Sequence, residues 1–147
     1  MDTVRNILEI KGYHLWTISS DATVFEALRR MADKGIGSLV VMEGDRLTGI
    51  MTERDYARKV ILHRLSSKDT KVREIMTENV VTVHPMQTVN ECMTLMVERK
   101  FSHIPVVEGQ EVIGLVSIGD VLRNIIYRQK ETIKAMENKL LGKTIVD

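Results

Sequence analysis

Cysteine, proline and aromatic residues are all scarce in this chain. Cys92 is alone, so no intrachain disulfide can form, and a reducing cytoplasmic compartment is expected. Only 2 prolines occur, and aromatic residues make up 4% of 147. No charge sign dominates: the formal net charge is +1, which gives no support for nucleic-acid binding. No apolar run approaches the roughly 20 residues that cross a bilayer, and the N-terminus lacks the apolar stretch of a signal peptide. The four histidines, His14, His63, His84 and His103, show no metal-ligand spacing with cysteine or carboxylates. No serine–histidine–aspartate or cysteine–histidine arrangement stands out, so catalysis is not expected.

What the chain does have is a pattern written twice at a spacing of 65 residues. Trp16-Thr17-Ile18 falls on Val81-Thr82-Val83, Thr23-Val24 on Thr88-Val89, and Met31 on Met96. Glu43-Gly44 falls on Glu108-Gly109, Gly49 on Gly114 and Asp55 on Asp120. Upstream, Glu9-Ile10 aligns with Glu74-Ile75 at the same spacing.

Each copy predicts strand, helix, strand, strand, helix, an α+β arrangement. The first strands are Leu15–Ile18 and Val80–Val83. Val24, Ala27, Leu28, Met31 and Ala32, and their counterparts Val89, Cys92, Met93, Met96 and Val97, each make one buried helical face. Thr23 with Glu26 and Thr88 with Glu91 read as capping boxes, and Gly35 and Gly37 help end the first helix. Strands are expected at Ser38–Met42 and His103–Val107, then at Arg46–Met51 and Glu111–Val116. Last helices begin at Thr52 and Ser117. The copies divide the chain into 7–62 with an N-terminal helix, a polar surface linker at 63–71, 72–127, and a C-terminal helical extension at 128–147.

One junction carries the chemistry. Gly49-Ile50-Met51-Thr52-Glu53-Arg54-Asp55 and Gly114-Leu115-Val116-Ser117-Ile118-Gly119-Asp120 share a glycine, two apolar strand residues, a hydroxyl and an aspartate. The hydroxyl fits a helix N-cap and the aspartate fits its N3 position. A helix N-terminus favours phosphate, and a carboxylate accepts hydrogen bonds from both cis hydroxyls of a ribose. The same pattern also serves as a capping box needing no ligand, and a structural cap would be repeated too.

In order and doubled, these motifs resemble a tandem pair of CBS domains over about residues 7–127. The matching runs include Val72–Thr77, Thr88-Val89, His103–Val107 and Gly114–Asp120 in the second copy. In the first they are Thr23-Val24, Gly37–Val41 and Gly49–Asp55. The run from Thr52 to Lys59 resembles a stand-alone bacterial type. The resemblance implies two repeats packed through their sheets about a pseudo-twofold axis, leaving two clefts for adenosyl ligands: AMP, ADP, ATP, NAD or S-adenosylmethionine. Asp55 and Asp120 would anchor ribose, beside Thr52 and Ser117, with Ile18 and Val83 near adenine. Ser102 and His103 would face the phosphate at Asp55; Gly37, Ser38 and Arg54 would face it at Asp120. Gly119 stands where the first copy has Arg54, so the Asp120 cleft, with Arg54 nearby, is expected to bind more tightly. AMP is the first choice because few groups face the phosphate. The implied role is a regulatory sensor relaying energy or redox state to an unidentified partner; the alternative is a structural adaptor with vestigial clefts.

Cys92 reads as a buried thiol, Trp16 as a strand-end core residue, and the nine methionines mostly as packing. From Leu122, the positions Ile126, Gln129, Ile133, Met136 and Leu140 step by 4, 3, 4, 3, 4, heptad spacing for a homodimer helix. Packing of that helix back on its own domain is the alternative.

Overall fold

A computed structural model describes residues 2–142. The last five residues of the expected C-terminal extension lie outside the described residues. The elements are α1 (Val4–Lys11), β1 (Thr17–Ser19), α2 (Val24–Lys34), β2 (Ser38–Glu43), β3 (Arg46–Thr52) and α3 (Glu53–Tyr56). α3 runs on as a π-helical turn at Ala57–Ile61. They continue with α4 (Val72–Ile75), α5 (Val89–Arg99), β4 (His103–Glu108), β5 (Glu111–Ser117) and α6 (Ile118–Leu140).

The doubling is visible in the sheets. β1 pairs parallel to β2, with Ile18 opposite Val41, and β2 pairs antiparallel to β3. The second copy pairs β4 with β5 and reduces its first strand to a single parallel bridge, Val83 to Val106. That bridge matches Ile18–Val41 residue for residue. Register shifts fall between Val41 and Met42 and between Val106 and Val107, again at matching places. The expected strand Val80–Val83 is therefore a bridge set in irregular chain.

Local chemistry sets the helices. The Thr23 hydroxyl accepts from the Glu26 N–H and Thr88 from Glu91, closing the hydroxyl half of each expected box. Gly35 ends α2 in the left-handed region at φ 66°, which glycine adopts without a Cβ penalty. The second copy places Lys100 there at φ 57°, without that freedom. Each copy then builds its own core. Val24, Ala27 and Met31 pack with Leu39, Val41 and Met51; Val89, Cys92 and Met96 pack with Ile104, Val106 and Val116. Burial pushes the Cys92 thiol up to about 11, as befits an unreactive structural group. Met31, Met51 and Met96 are core residues, while Met86 and Met136 are exposed.

The lead-in helices are exchanged between the copies. Val4, Ile7 and Leu8 of α1 are buried in the core of the second copy, and Val72 and Ile75 of α4 in that of the first. The docking bonds repeat: Val4 and Arg5 donate to Gln87 and Pro85, and Val72 and Arg73 to Ala22 and Ser20. These pairs align Val4 with Val72 and Ile7 with Ile75, a spacing of 68. The upstream alignment of Glu9-Ile10 with Glu74-Ile75 is thus corrected by three residues. The cause is helix length: α4 stops at Ile75, whereas α1 continues for about another turn to Lys11. The N-terminal helix, grouped by position with the first copy, completes the core of the second.

One more expectation changes, and one alternative falls away. Trp16 precedes β1 and is 40% exposed, with Lys34 Nζ 4.4 Å from its ring centroid and His14 stacked alongside. It is not a core residue. α6 does not fold its stripe back on the domain: Ile126, Ile133, Met136 and Leu140 are all exposed.

Candidate functional site

The two junction motifs fold as their spacing predicts. Thr52 and Ser117 are N-caps, with Asp55 and Asp120 at N3, and both boxes are reciprocal. Asp55 Oδ2 accepts from the Thr52 N–H at 2.9 Å, and Asp120 Oδ2 accepts from the Ser117 N–H at 2.8 Å. One oxygen of each aspartate is thereby committed to the cap. The function of each junction turns on what surrounds the rest of the carboxylate.

Asp55 stands on the wall of a cavity of about 530 Å³ between the copies, within the size range of small-molecule pockets. The first copy contributes Gly37, Ile50, Thr52, Glu53, Arg54, Asp55, Arg58 and Lys59. The second contributes Lys100, Phe101, Ser102 and His103, and the chain leading into it contributes Thr77, Asn79, Val80 and Val81. The lead-in is held in place by a bridge: Thr77 and Ile50 exchange both backbone bonds, at 2.9 and 3.1 Å, along the edge of β3. The nearest cation to Asp55 is Lys59, one helical turn on, with Nζ 3.2 Å from Oδ1 and also bonded to the Ile75 carbonyl.

Asp120 is differently placed. Lys11 Nζ donates to its Oδ2 at 2.7 Å and to the Leu115 carbonyl at 2.7 Å. The Arg123 guanidinium reaches Oδ1 at 2.7 Å. Both oxygens are satisfied by the protein's own cations. Burial pushes the Asp120 carboxyl up, but the Lys11 and Ser117 hydrogen bonds outweigh it and hold the group below the usual carboxylate range. His103 is pushed down, first by burial and then by the charges of Lys11 and Arg54, against the opposing pull of Asp120.

Of the residues singled out by sequence, Gly37, Thr52, Arg54, Asp55, Ser102 and His103 meet at the Asp55 cavity. Gly37 and Arg54, expected to serve Asp120, are among them. Ser38 is buried, and Ser117 caps α6 beside Asp120. The Ile18 and Val83 side chains lie in the cores, 6% and 1% exposed; at the Asp55 cavity, in the place expected for Ile18, Val80 and Val81 form the apolar lining. Sequence reasoning missed Arg58, Lys59 and Lys100, so the cationic groups at the cavity are more numerous than expected. Helical spacing offered a signal for two: Arg58 and Lys59 follow Asp55 by three and four residues, on the same helix face.

No helix among the described residues is long and apolar enough to cross a membrane. The model of the CBS domain matches the chain twice, at residues 4–62 and 72–127. CBS domain-containing protein CBSX3, mitochondrial, of Arabidopsis thaliana is 39% identical over 95% of this chain and 72% of its own. In CBSCBSPB5 of the same plant the match covers only 24% of the protein, so the module also occurs within longer chains. A solved protein with CBS domains from Burkholderia ambifaria superposes with a TM-score of 0.83 at 48% identity, covering 86% of this chain and 96% of that one. The CBS domain pair of protein MJ0100, solved with 5′-methylthioadenosine and S-adenosyl-L-methionine, gives 0.76 at 27% identity, covering 87% of this chain and 98% of that one. The chain belongs to the CBS-domain family, as a pair of repeats with flanking helices.

Proposed function

We propose that this CBS pair is a non-catalytic regulatory module that binds an adenine nucleotide in the Asp55 cavity. One observation carries the proposal: a partly free carboxylate shares a 530 Å³ cleft with Arg54, Arg58, Lys59 and Lys100. Asp55 accepts one ribose hydroxyl on Oδ1 and the other on Oδ2, which also keeps the cap. Ile50, Val80 and Val81 give adenine an apolar seat, and Arg54, Arg58 and Lys100 with His103 meet the phosphates, while Lys59 stays on Asp55 and the Ile75 carbonyl. The MJ0100 complex supports an adenosyl ligand in such a pair. Glu53 and Asp55 offset two of the four cations, and the remaining positive charge favours two or three phosphates over one and disfavours S-adenosylmethionine, whose sulfonium would enter a cationic cleft. ATP or ADP therefore replaces AMP as first choice.

Signalling follows if the ligand binds two arrangements of the module unequally. The exposed heptad face of α6 supports a homodimer as the unit that rearranges, passing the ligand's state to a regulated protein. Thermal shift tests the reading with ATP, ADP, AMP, NADH and S-adenosylmethionine. A nucleotide at about 100 times its Kd stabilises by about 2.7 kcal/mol, several degrees here. ATP or ADP should give the largest shift. No shift with any of the five would favour the adaptor reading.

A further inference from the structure

We infer that Lys11 is a tethered lock that closes the Asp120 cleft, so that each chain takes one nucleotide and not two; the inference rests on the Asp55 reading above. The two junctions have matching hydroxyl caps, Thr52 and Ser117, and matching aspartates, yet their carboxylates face different surroundings. The difference originates in the lead-in helix. α4 ends at Ile75, and the chain beyond it, Thr77 to Val81, forms an open wall of the Asp55 cavity. α1 carries about one more turn, and that turn ends at Lys11. Its ammonium is fixed by two acceptors, the Leu115 carbonyl and Asp120 Oδ2, each at 2.7 Å.

The chemistry of the lock is competition for one carboxylate: Lys11 fills the acceptor site that Oδ2 keeps beyond its bond from the Ser117 N–H, which the second ribose hydroxyl would need. Ribose hydroxyls are neutral donors, whereas Lys11 offers a charge-assisted bond at a partly buried site. Lys11 is also held in the chain, so it competes at an effective concentration on the order of millimolar and gives up side-chain rotamer freedom but not the overall translational and rotational freedom a free ligand loses. Arg123 is a weaker obstacle: its side chain is 72% exposed and can swing into solvent. At Asp55 the only paired cation among the described residues, Lys59, lies on the same helical run four residues on and leaves the facing wall open.

Saturation binding of ATP by equilibrium dialysis tests the lock. Lys11→Met keeps the aliphatic stem and removes the charge. The wild-type chain should hold one ATP, Lys11→Met two, and Lys11→Met with Asp120→Asn one again. Two ATP in the wild-type chain, or one in Lys11→Met, would overturn the lock while leaving the Asp55 reading intact. No ATP in the wild-type chain would overturn the Asp55 reading. In that case a single Asp120-dependent ATP gained by Lys11→Met would sustain the lock, and none would remove it as well. Near-ultraviolet circular dichroism matching the wild-type spectrum establishes that each variant is folded.

Discussion

Lys11 Nζ lies 2.7 Å from Asp120 Oδ2, although the two residues are 109 positions apart. The contact ties the end of the first helix to the cap of the last. It also makes the two otherwise matching junctions unequal, because Asp55 has no such distant partner among the described residues.

The pair should show in acid stability. The folded Asp120 carboxyl lies below its unfolded value of about 3.9, so its contribution is present above that pH and is lost as pH falls through the folded value. Lys11→Met removes the second cause of the shift, after burial, and the largest that lowers it. The acid-unfolding midpoint, followed by circular dichroism, should move to higher pH in this variant. An unchanged midpoint would mean that the pair contributes nothing in solution.

His103 should make nucleotide binding proton-linked. Its folded value lies below the unfolded value of about 6.5, so the free protein holds it neutral near pH 7. An anionic phosphate nearby favours the imidazolium, so binding takes up a proton and affinity rises as pH falls from 8 towards 6. His103→Gln should flatten this slope relative to the wild-type chain; titrations at four pH values, compared between the two, isolate the histidine from the phosphate's own titration. Parallel slopes would place the proton elsewhere.

Gly49 and Gly114 should differ in tolerance. A Cβ at Gly49 would lie 2.6 Å from Met76 Sδ and 2.9 Å from the Thr77 carbonyl, which is backbone fixed by its bridge to Ile50. At Gly114 it would meet Leu8 Cδ2 at 2.9 Å, the end of a side chain that can turn. Gly49→Ala should cost about 1–3 kcal/mol in urea unfolding, and Gly114→Ala less. Equal costs would show that the Thr77 backbone yields as readily as a leucine.

Much of this was legible in the sequence because it is local. The capping residues, the helical faces of α2 and α5, the hairpins of each sheet and the buried Cys92 all follow from spacing within a dozen residues. What was not legible depends on contacts between distant segments. The exchange of α1 and α4 between cores leaves no local mark. A repeat held at 65 hides a lead-in that matches at 68, since the extra turn of α1 is itself good helix. The side chains of Ile18 and Val83, expected near adenine, go into the cores through pairing with Val41 and Val106, which only the sheets reveal. Trp16 looked like core because it is large and apolar; its place just before β1 leaves it beside Lys34 and His14 instead. Lys11 and Lys100 gave no signal, because only the tertiary fold brings them to their clefts.

The exposed stripe on α6 predicts the oligomer. Ile133 is 55% exposed in the single chain and sits on the heptad face with Ile126, Met136 and Leu140. Sedimentation at tens of micromolar should show a dimer for the wild-type chain and a shift to monomer for Ile133→Asp. Folding should be unaffected, since the site is outside both cores. A wild-type monomer at that concentration would reject the dimer.

The central claim is that Asp55 anchors a nucleotide. Ribose hydroxyls on a carboxylate contribute about 1.5–3 kcal/mol per charge-assisted bond, so losing the charge should weaken binding on the order of 100-fold. Isothermal titration of ATP into the wild-type chain and into Asp55→Asn measures this directly. The wild-type chain should show a single saturable site, and the variant a loss of affinity of about 100-fold. Equal affinity in the two proteins would contradict it.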